Sequence, residues 1–239
     1  MTAPELQAGD VSARAAGSPR RPPGGRAVAT AAVALGVLLA LSALVASGST
    51  VPLDDRAREL FRPNDEWGAL QVRVDTVVEG LRPRITGALV VVLAVVLGLV
   101  RRSWWPVLSV AAVVTTGALL TLTLKGLVGR ADTHGDLGAL GGSYPSGHVV
   151  MVLLLGGCTA LLVREHPGPL AWSLVGLGGA VMAWALLVQT AHWLTDVVGG
   201  VLVGVVVLAL APRLPFTPAS GSATAGPPRR SRAARTRPR

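Results

Sequence analysis

Charged side chains and cysteine are both scarce in this chain of 239 residues. Only 15% of the residues are charged, whereas 51% are hydrophobic and the mean hydropathy is +0.55. So little charge excludes a soluble domain of this length and predicts a polytopic membrane protein. The single cysteine, Cys158, excludes an intrachain disulfide, and its place inside an apolar stretch indicates a packing role.

Six apolar stretches, most of them near the ~20 residues that a spanning helix needs, predict an all-α bundle of six transmembrane helices. Their approximate limits are 27–47, 85–100, 104–124, 146–163, 169–191 and 193–211. The expected membrane domain therefore covers residues 27–211. A signal peptide cleaved near Ala46 is the alternative for the first stretch, but its length favours a retained span.

The net charge of +9 comes mainly from arginines in two tails, residues 1–26 and 212–239, which are rich in Pro, Gly, Ser and Ala. This composition predicts disordered cytoplasmic tails rather than a nucleic-acid site. Arginines also occupy the short loops at 101–102 and at 164. The positive-inside rule then places both termini in the cytoplasm of a protein of the plasma membrane.

The same rule places the segment 51–84 outside the membrane, together with the loop 125–145 and the turn near 189–192. Apolar residues recur at helical spacing in 51–84. An amphipathic helix in the membrane interface and a solvated extracytoplasmic loop both remain open for this segment.

Polar groups that suit catalysis gather at the outer ends of three predicted spans. Lys125 ends the third span, Ser146 and His148 begin the fourth, and His192 and Asp196 begin the sixth. Titratable groups in apolar helices are costly and are functional candidates by default. The sequence therefore predicts an active site at the outer face of the membrane.

The start of the fourth span suits a phosphate. Ser146 follows a proline and precedes an apolar helix, so its side chain is expected to cap a helix N-terminus, which attracts anions. Gly147 lets an anion approach the backbone closely. Lys125 and Arg130 are expected to add positive charge from the neighbouring span.

The two histidines suit proton transfer and nucleophilic attack. His192 and Asp196 are four residues apart, so they share a helix face on which the carboxylate can orient the imidazole. His148 is placed to give or take a proton. A zinc site formed by these three residues and His134 is the chemical alternative, but no local His-x-x-x-His or cysteine pair supports it. We expect neither a metal nor another cofactor.

These residues resemble the type 2 phosphatidic acid phosphatase superfamily. Its second motif, Pro-Ser-Gly-His, matches residues 145–148 in full, and the end of its third motif, His-x-x-x-Asp, matches His192 and Asp196. The lysine that opens its first motif matches Lys125. Order, spacing and span layout agree over roughly residues 85–211.

The resemblance implies a metal-independent membrane phosphatase. His192 would be the nucleophile that forms a phosphohistidine, Asp196 its orienting partner, and His148 the acid that protonates the leaving group. The groups implied to bind the phosphoryl oxygens are Lys125, Ser146 and the backbone of Gly147.

Two arginines of the family pattern are absent. The Arg-Pro of the first motif falls on Asp132 and Thr133, and the Ser-Arg of the third falls on Ala185 and Leu186. Loss of either phosphate-binding arginine is expected to cost several kcal/mol of transition-state stabilisation. Arg130 is the candidate replacement for the first.

Gln189 is the nearest candidate to replace the second arginine, while His134 and Asp136 are either part of the site or solvated loop residues.

Two hypotheses on function follow from these residues. The chain hydrolyses a lipid phosphate or diphosphate, isoprenoid or glycerophospholipid, or passes the phosphoryl group to another acceptor. Alternatively, it is a degenerate relative that binds a lipid head group or a partner protein. The sequence leaves the lipid and the oligomeric state open.

Overall fold

The computed structural model describes residues 23–138 and 141–216, and within these ranges the chain forms helices and no strand. The α-helices are α1 (Pro23–Ala46), α2 (Val51–Phe61), α3 (Ala69–Gly80), α4 (Pro83–Val100), α5 (Trp105–Val128), α6 (Gly147–Val163), α7 (Pro169–Val188) and α8 (Leu194–Leu210). Short 3-10 turns lie at Pro63–Asp65 and Ala211–Arg213. Most of both predicted basic tails, residues 1–22 and 217–239, lies outside the described residues.

Within residues 23–138 and 141–216, five stretches are long and apolar enough to cross a membrane, so the predicted multi-pass, all-helical class is confirmed. They are Gly24–Ala46, Ala69–Val100, Trp105–Val128, Pro169–Val188 and Leu194–Arg213. The fourth expected span corresponds to α6, which has 17 residues and falls short of that length. The count of six spans therefore stays a prediction.

Proline and glycine set several helix ends. Helices α2, α4, α5 and α7 each carry proline in the first turn, where its missing N–H costs no hydrogen bond. Helix α5 ends at Gly129, whose φ of 58° is the left-handed conformation that favours glycine. This end turns the chain into the loop 129–146, which leads back to the start of α6.

Helix α6 lies in the middle of the bundle, where it packs against α4, α5, α7 and α8, while α1 packs along α8. Side chains such as Val149, Leu154 and Cys158 of α6 are fully buried. Large apolar side chains elsewhere face outward, for example Val33 at 67% and Leu119 at 60% exposure. Surfaces this apolar are typical of contact with lipid.

The segment 51–82 is helical rather than irregular, with α2 and α3 joined by the 3-10 turn Pro63–Asp65. Helix α2 packs against α7 and α8, and α3 packs against α7. This segment therefore covers the end of the bundle at which α5 ends and α6 and α8 begin, which we call the site end.

At the opposite end, arginines bond to backbone carbonyls. Arg101 donates to the carbonyl oxygens of Leu162, at 2.9 Å, and Phe216, at 3.3 Å. Arg213 donates to the carbonyl oxygen of Gly24 at 2.7 Å. The carbonyl of Leu162 is in the last turn of α6, where it has no partner within its own helix.

Candidate active site

One cavity at the site end brings together the three cationic or titratable groups expected from separate spans. It has a volume of about 520 Å³. The lining residues are Pro83, Lys125, Leu137, Gly138, Gly142, Gly147, His148, Met151 and His192. Helices α4, α5 and α6 and the loops before α6 and α8 therefore all contribute to one space that is open to a ligand.

His192 and Asp196 form a pair at the start of α8. The Nδ1 atom of His192 lies 3.3 Å from Oδ2 of Asp196, which also accepts a hydrogen bond of 3.1 Å from the backbone N–H of Trp193. Asp196 is fully buried, whereas the side chain of His192 retains 14% exposure and lines the cavity. The carboxylate thus lies behind the ring, and the Nε2 side is left free for chemistry.

Ser146 occupies the N-cap position of α6, but its hydroxyl makes no capping hydrogen bond, contrary to the sequence-based prediction. Its Oγ is buried without a hydrogen-bond partner among the described residues. The backbone N–H of Ser146 instead donates to the carbonyl oxygen of Asp196 at 2.9 Å. Gly147 and His148, which follow it, line the cavity directly.

Lys125 reaches the cavity from the end of α5 and is 6% exposed. Its ammonium group donates to the carbonyl oxygens of Gly142 and, at 3.1 Å, Ser143. The lysine therefore also fastens the loop that leads into α6. Gly142 adopts a φ of 139°, and a Cβ there would lie 2.9 Å from the carbonyl oxygen of Arg130.

Arg130 is not among the residues that line the cavity. Its Nη2 atom lies 2.7 Å from Oδ2 of Asp54, and its Nη1 atom lies 3.2 Å from Oδ1 of Asp196 and 2.6 Å from Oγ1 of Thr195. The guanidinium also stacks over the ring of Trp193 at 4.9 Å. This placement argues against direct phosphate binding by Arg130, because its donors already bond carboxylates.

Asp54 of α2 is a site-end residue that the sequence did not single out. It is 1% exposed and accepts hydrogen bonds from the backbone N–H of Thr195, at 2.9 Å, and from the hydroxyl of Thr195, at 2.8 Å. The sequence offers little to distinguish Asp54, because the exposed Asp55 is next to it and the charges of the whole segment nearly cancel.

The other candidate replacements do not line the cavity. Gln189 donates to Asp75 of α3 at 2.8 Å, and His134 hydrogen-bonds its neighbour Thr133. Asp132 closes its own loop by accepting from the backbone N–H groups of Asp136 and His134, which holds the pKa of Asp132 below its ordinary value.

Leu186, where the family has its second arginine, is buried at 2% exposure. Within residues 23–138 and 141–216, no three histidine, cysteine, aspartate or glutamate side chains are grouped as metal ligands. The titratable side chains that do line the cavity are Lys125, His148 and His192.

The fold defines a multi-pass, all-helical membrane protein. The family model of the PAP2 superfamily matches residues 106–219, which include every predicted site residue. The chain is also similar to a solved structure described as the first transmembrane PAP2 type phosphatidylglycerolphosphate phosphatase from Bacillus subtilis. The TM-score is 0.64 at 18% identity, over 76% of this chain and 94% of that one.

A search of the curated proteins found no significant match. The family model therefore confirms, over residues 106–219, the resemblance to the PAP2 superfamily that the motifs predicted. At this identity the structural likeness concerns the fold, so the substrate and the mechanism are argued from the chain's own residues.

Proposed function

We propose that this protein is a membrane phosphatase that hydrolyses a lipid phosphate or diphosphate through a phosphohistidine on His192. The observation that carries the proposal is the single cavity lined by Lys125, His148 and His192, with Asp196 buried behind His192. A phosphoryl group, a nucleophile and an acid can meet in this cavity, and nothing else among the described residues combines the three.

The chemistry needs two steps. In the first, Nε2 of His192 forms a bond to phosphorus while the bond from phosphorus to the lipid oxygen breaks, and His148 gives that oxygen a proton. In the second, His148 takes a proton from water, whose oxygen attacks phosphorus as the N–P bond breaks. Asp196 supports both steps because it holds Nδ1 of the ring and stabilises the positive charge that the ring gains.

The phosphoryl oxygens would bind between Lys125 and the start of α6. The first N–H groups of a helix have no partner within the helix, and together with the helix dipole they attract anions. The unpaired hydroxyl of Ser146 lies at the same helix start as Gly147. Among the described residues that line the cavity, Lys125 is the only lysine or arginine.

A lipid is the substrate class that best fits the surroundings. Leu137, Met151 and Pro83 give the cavity apolar walls, and the bundle that carries it is a membrane protein. Arginines lie in the tails and in the short loops at 101–102 and 164, whereas the charges of the segment 51–84 nearly cancel. This asymmetry supports a site that faces outward from the plasma membrane, with both termini in the cytoplasm.

The test is phosphate release by the detergent-purified protein from phosphatidic acid, phosphatidylglycerophosphate and an isoprenoid diphosphate, each with and without chelator. We expect chelator-resistant release from at least one lipid, and a loss of about 10⁴-fold or more in His192→Ala. His166→Ala is the matched control, because His166 is exposed at the opposite end.

A second candidate function is binding without hydrolysis, favoured by the absence of any arginine among the described cavity-lining residues. Folded protein that binds a lipid phosphate but neither releases phosphate nor labels at His192 would support it. Phosphate transfer to an added alcohol, in place of release, would instead identify a phosphotransferase.

A further inference from the structure

Two buried carboxylates share one guanidinium next to the proposed nucleophile. Asp54 and Asp196 are 1% and 0% exposed, and Arg130 bridges them with one nitrogen on each. Burying a carboxylate without a partner costs several kcal/mol, so each end of this bridge depends on the other. The three side chains therefore hold one another in place, and their polar atoms are not free to bind a substrate.

Asp54 affects the net charge of the cluster that it forms with Arg130 and Asp196. Arg130 alone would neutralise Asp196 and so weaken its hold on a cationic His192 ring. Asp54 balances Arg130, so that the three groups together carry one negative charge. That residual charge favours the positive ring that exists once His192 has attacked phosphorus.

Asp54 also fixes the start of α8. Its Oδ1 atom accepts from the backbone N–H of Thr195, in the first turn of α8, and its Oδ2 atom accepts from the hydroxyl of the same residue. Carboxylates at a helix N-terminus are stabilising, and here the carboxylate comes from a different helix. The turn that carries His192 and Asp196 is thereby held from α2.

We propose that Asp54 is a positioning residue for the His192–Asp196 pair and acts through Arg130 and Thr195. The segment 51–84 would then be part of the catalytic apparatus, although it lies outside the matched family region 106–219. Arg130 would serve the nucleophile and not the phosphate.

The test compares Asp54→Asn with Asp55→Asn, the same change at the neighbouring, exposed aspartate of α2. The first readout needs no activity: the Nδ1–H resonance of His192 in protein labelled with ¹⁵N-histidine, assigned by its loss in His192→Ala. We expect this downfield resonance in the unchanged protein and in Asp55→Asn. We expect it to be shifted upfield or lost in Asp54→Asn.

The second readout rests on the proposed function. Asp54→Asn should lower kcat by about 10- to 100-fold and change KM by no more than about twofold, because it acts on the nucleophile and not on substrate binding. The inhibition constant of inorganic phosphate should be the same in Asp54→Asn as in the unchanged protein. A raised KM with weaker phosphate inhibition in Arg130→Lys would overturn the positioning role and return Arg130 to phosphate binding.

A second pair of variants covers the case in which Asp54→Asn does not fold. Thr195→Val removes the hydroxyl between Asp54 and Arg130, and Thr195→Ser keeps it. Thr195→Val should reproduce the change in the His192 resonance, and Thr195→Ser should restore it. An unchanged resonance in both Asp54→Asn and Thr195→Val would refute the inference, whereas absence of phosphate release by the unchanged protein would refute the proposed function alone.

Discussion

Arg130 at the site end and two arginines at the opposite end of the bundle, Arg101 and Arg213, have different partners. At the site end, Arg130 bonds the carboxylates of Asp54 and Asp196, all three being largely buried. At the opposite end, Arg101 and Arg213 bond only backbone carbonyls in the described part of the chain. Arg130 thus holds a cluster of charged side chains together, whereas Arg101 and Arg213 bond the backbone.

The difference lies in what each arginine leaves behind when it is removed. A carbonyl that loses its arginine can bond to water at a membrane surface, so only stability changes. A buried carboxylate that loses its arginine keeps an uncompensated charge beside the nucleophile. Paired substitutions at the two ends should therefore separate chemistry from folding.

The largest effect should come from the histidines. His148→Ala is expected to lower phosphate release from a lipid phosphate by about 10²- to 10⁴-fold, the usual contribution of a general acid. With p-nitrophenyl phosphate, whose leaving group needs no proton, the first burst of nitrophenolate should survive. His166→Ala, at the opposite end, should behave as the unchanged protein in both assays. Equal losses with both substrates would remove His148 from the role of acid.

A smaller effect should separate Lys125 from Arg101. Lys125→Met removes the positive charge from the cavity and frees the loop at Gly142, so KM should rise and kcat/KM should fall by about 10²-fold or more. Arg101→Met should leave kcat/KM within about twofold. It should lower the free energy of unfolding by about 1–2 kcal/mol, because two hydrogen bonds are lost.

Thermal unfolding in detergent and steady-state kinetics check both variants. A Lys125→Met protein with unchanged kcat/KM and a lowered Tm would show that this lysine serves only the loop, and the contrast between the two ends would disappear.

The smallest effect on activity among the site-end variants should come from a glycine at the contact between α6 and α8. A Cβ on Gly200 would lie 2.7 Å from the carbonyl oxygen of Ser146, so Gly200→Ala must push the two helix starts apart. We expect a cost of about 1–3 kcal/mol in stability, with a partial loss of kcat. Gly36→Ala in α1 meets no atom within 4 Å and is the control. Equal stability of the two variants would show that this contact can relax.

The site residues that could be predicted from the sequence are those at the ends of apolar stretches. Lys125, His148 and His192 each sit at the end of an apolar run, and helices packed side by side bring such ends together, so their shared cavity was predictable. The helical character of the bundle followed from the apolar runs themselves. The resemblance to the PAP2 superfamily, which the family model confirms over residues 106–219, followed from the Pro-Ser-Gly-His motif and the His-x-x-x-Asp pair.

The remaining features depend on contacts between distant segments. The spacing of Arg130 from Lys125 approximates the family motif and predicted a phosphate ligand. In the structure the guanidinium of Arg130 bonds the carboxylate of Asp54, which is 76 residues earlier in the chain. No local pattern marks Asp54, since its partners come from α8 and the loop 129–146. The backbone N–H of Ser146 likewise bonds a distant residue, the carbonyl oxygen of Asp196 in α8, which no local pattern marks.

The joined starts of α6 and α8 have a consequence for how the protein responds to its membrane. Ser146 and Asp196 link the two helices through a backbone hydrogen bond, and Gly200 allows close contact beside it. Helices adjust their tilt when a bilayer becomes thinner or thicker. Because the starts of α6 and α8 are joined, we expect a change in bilayer thickness to alter the separation of their far ends more than the separation of His148 and His192.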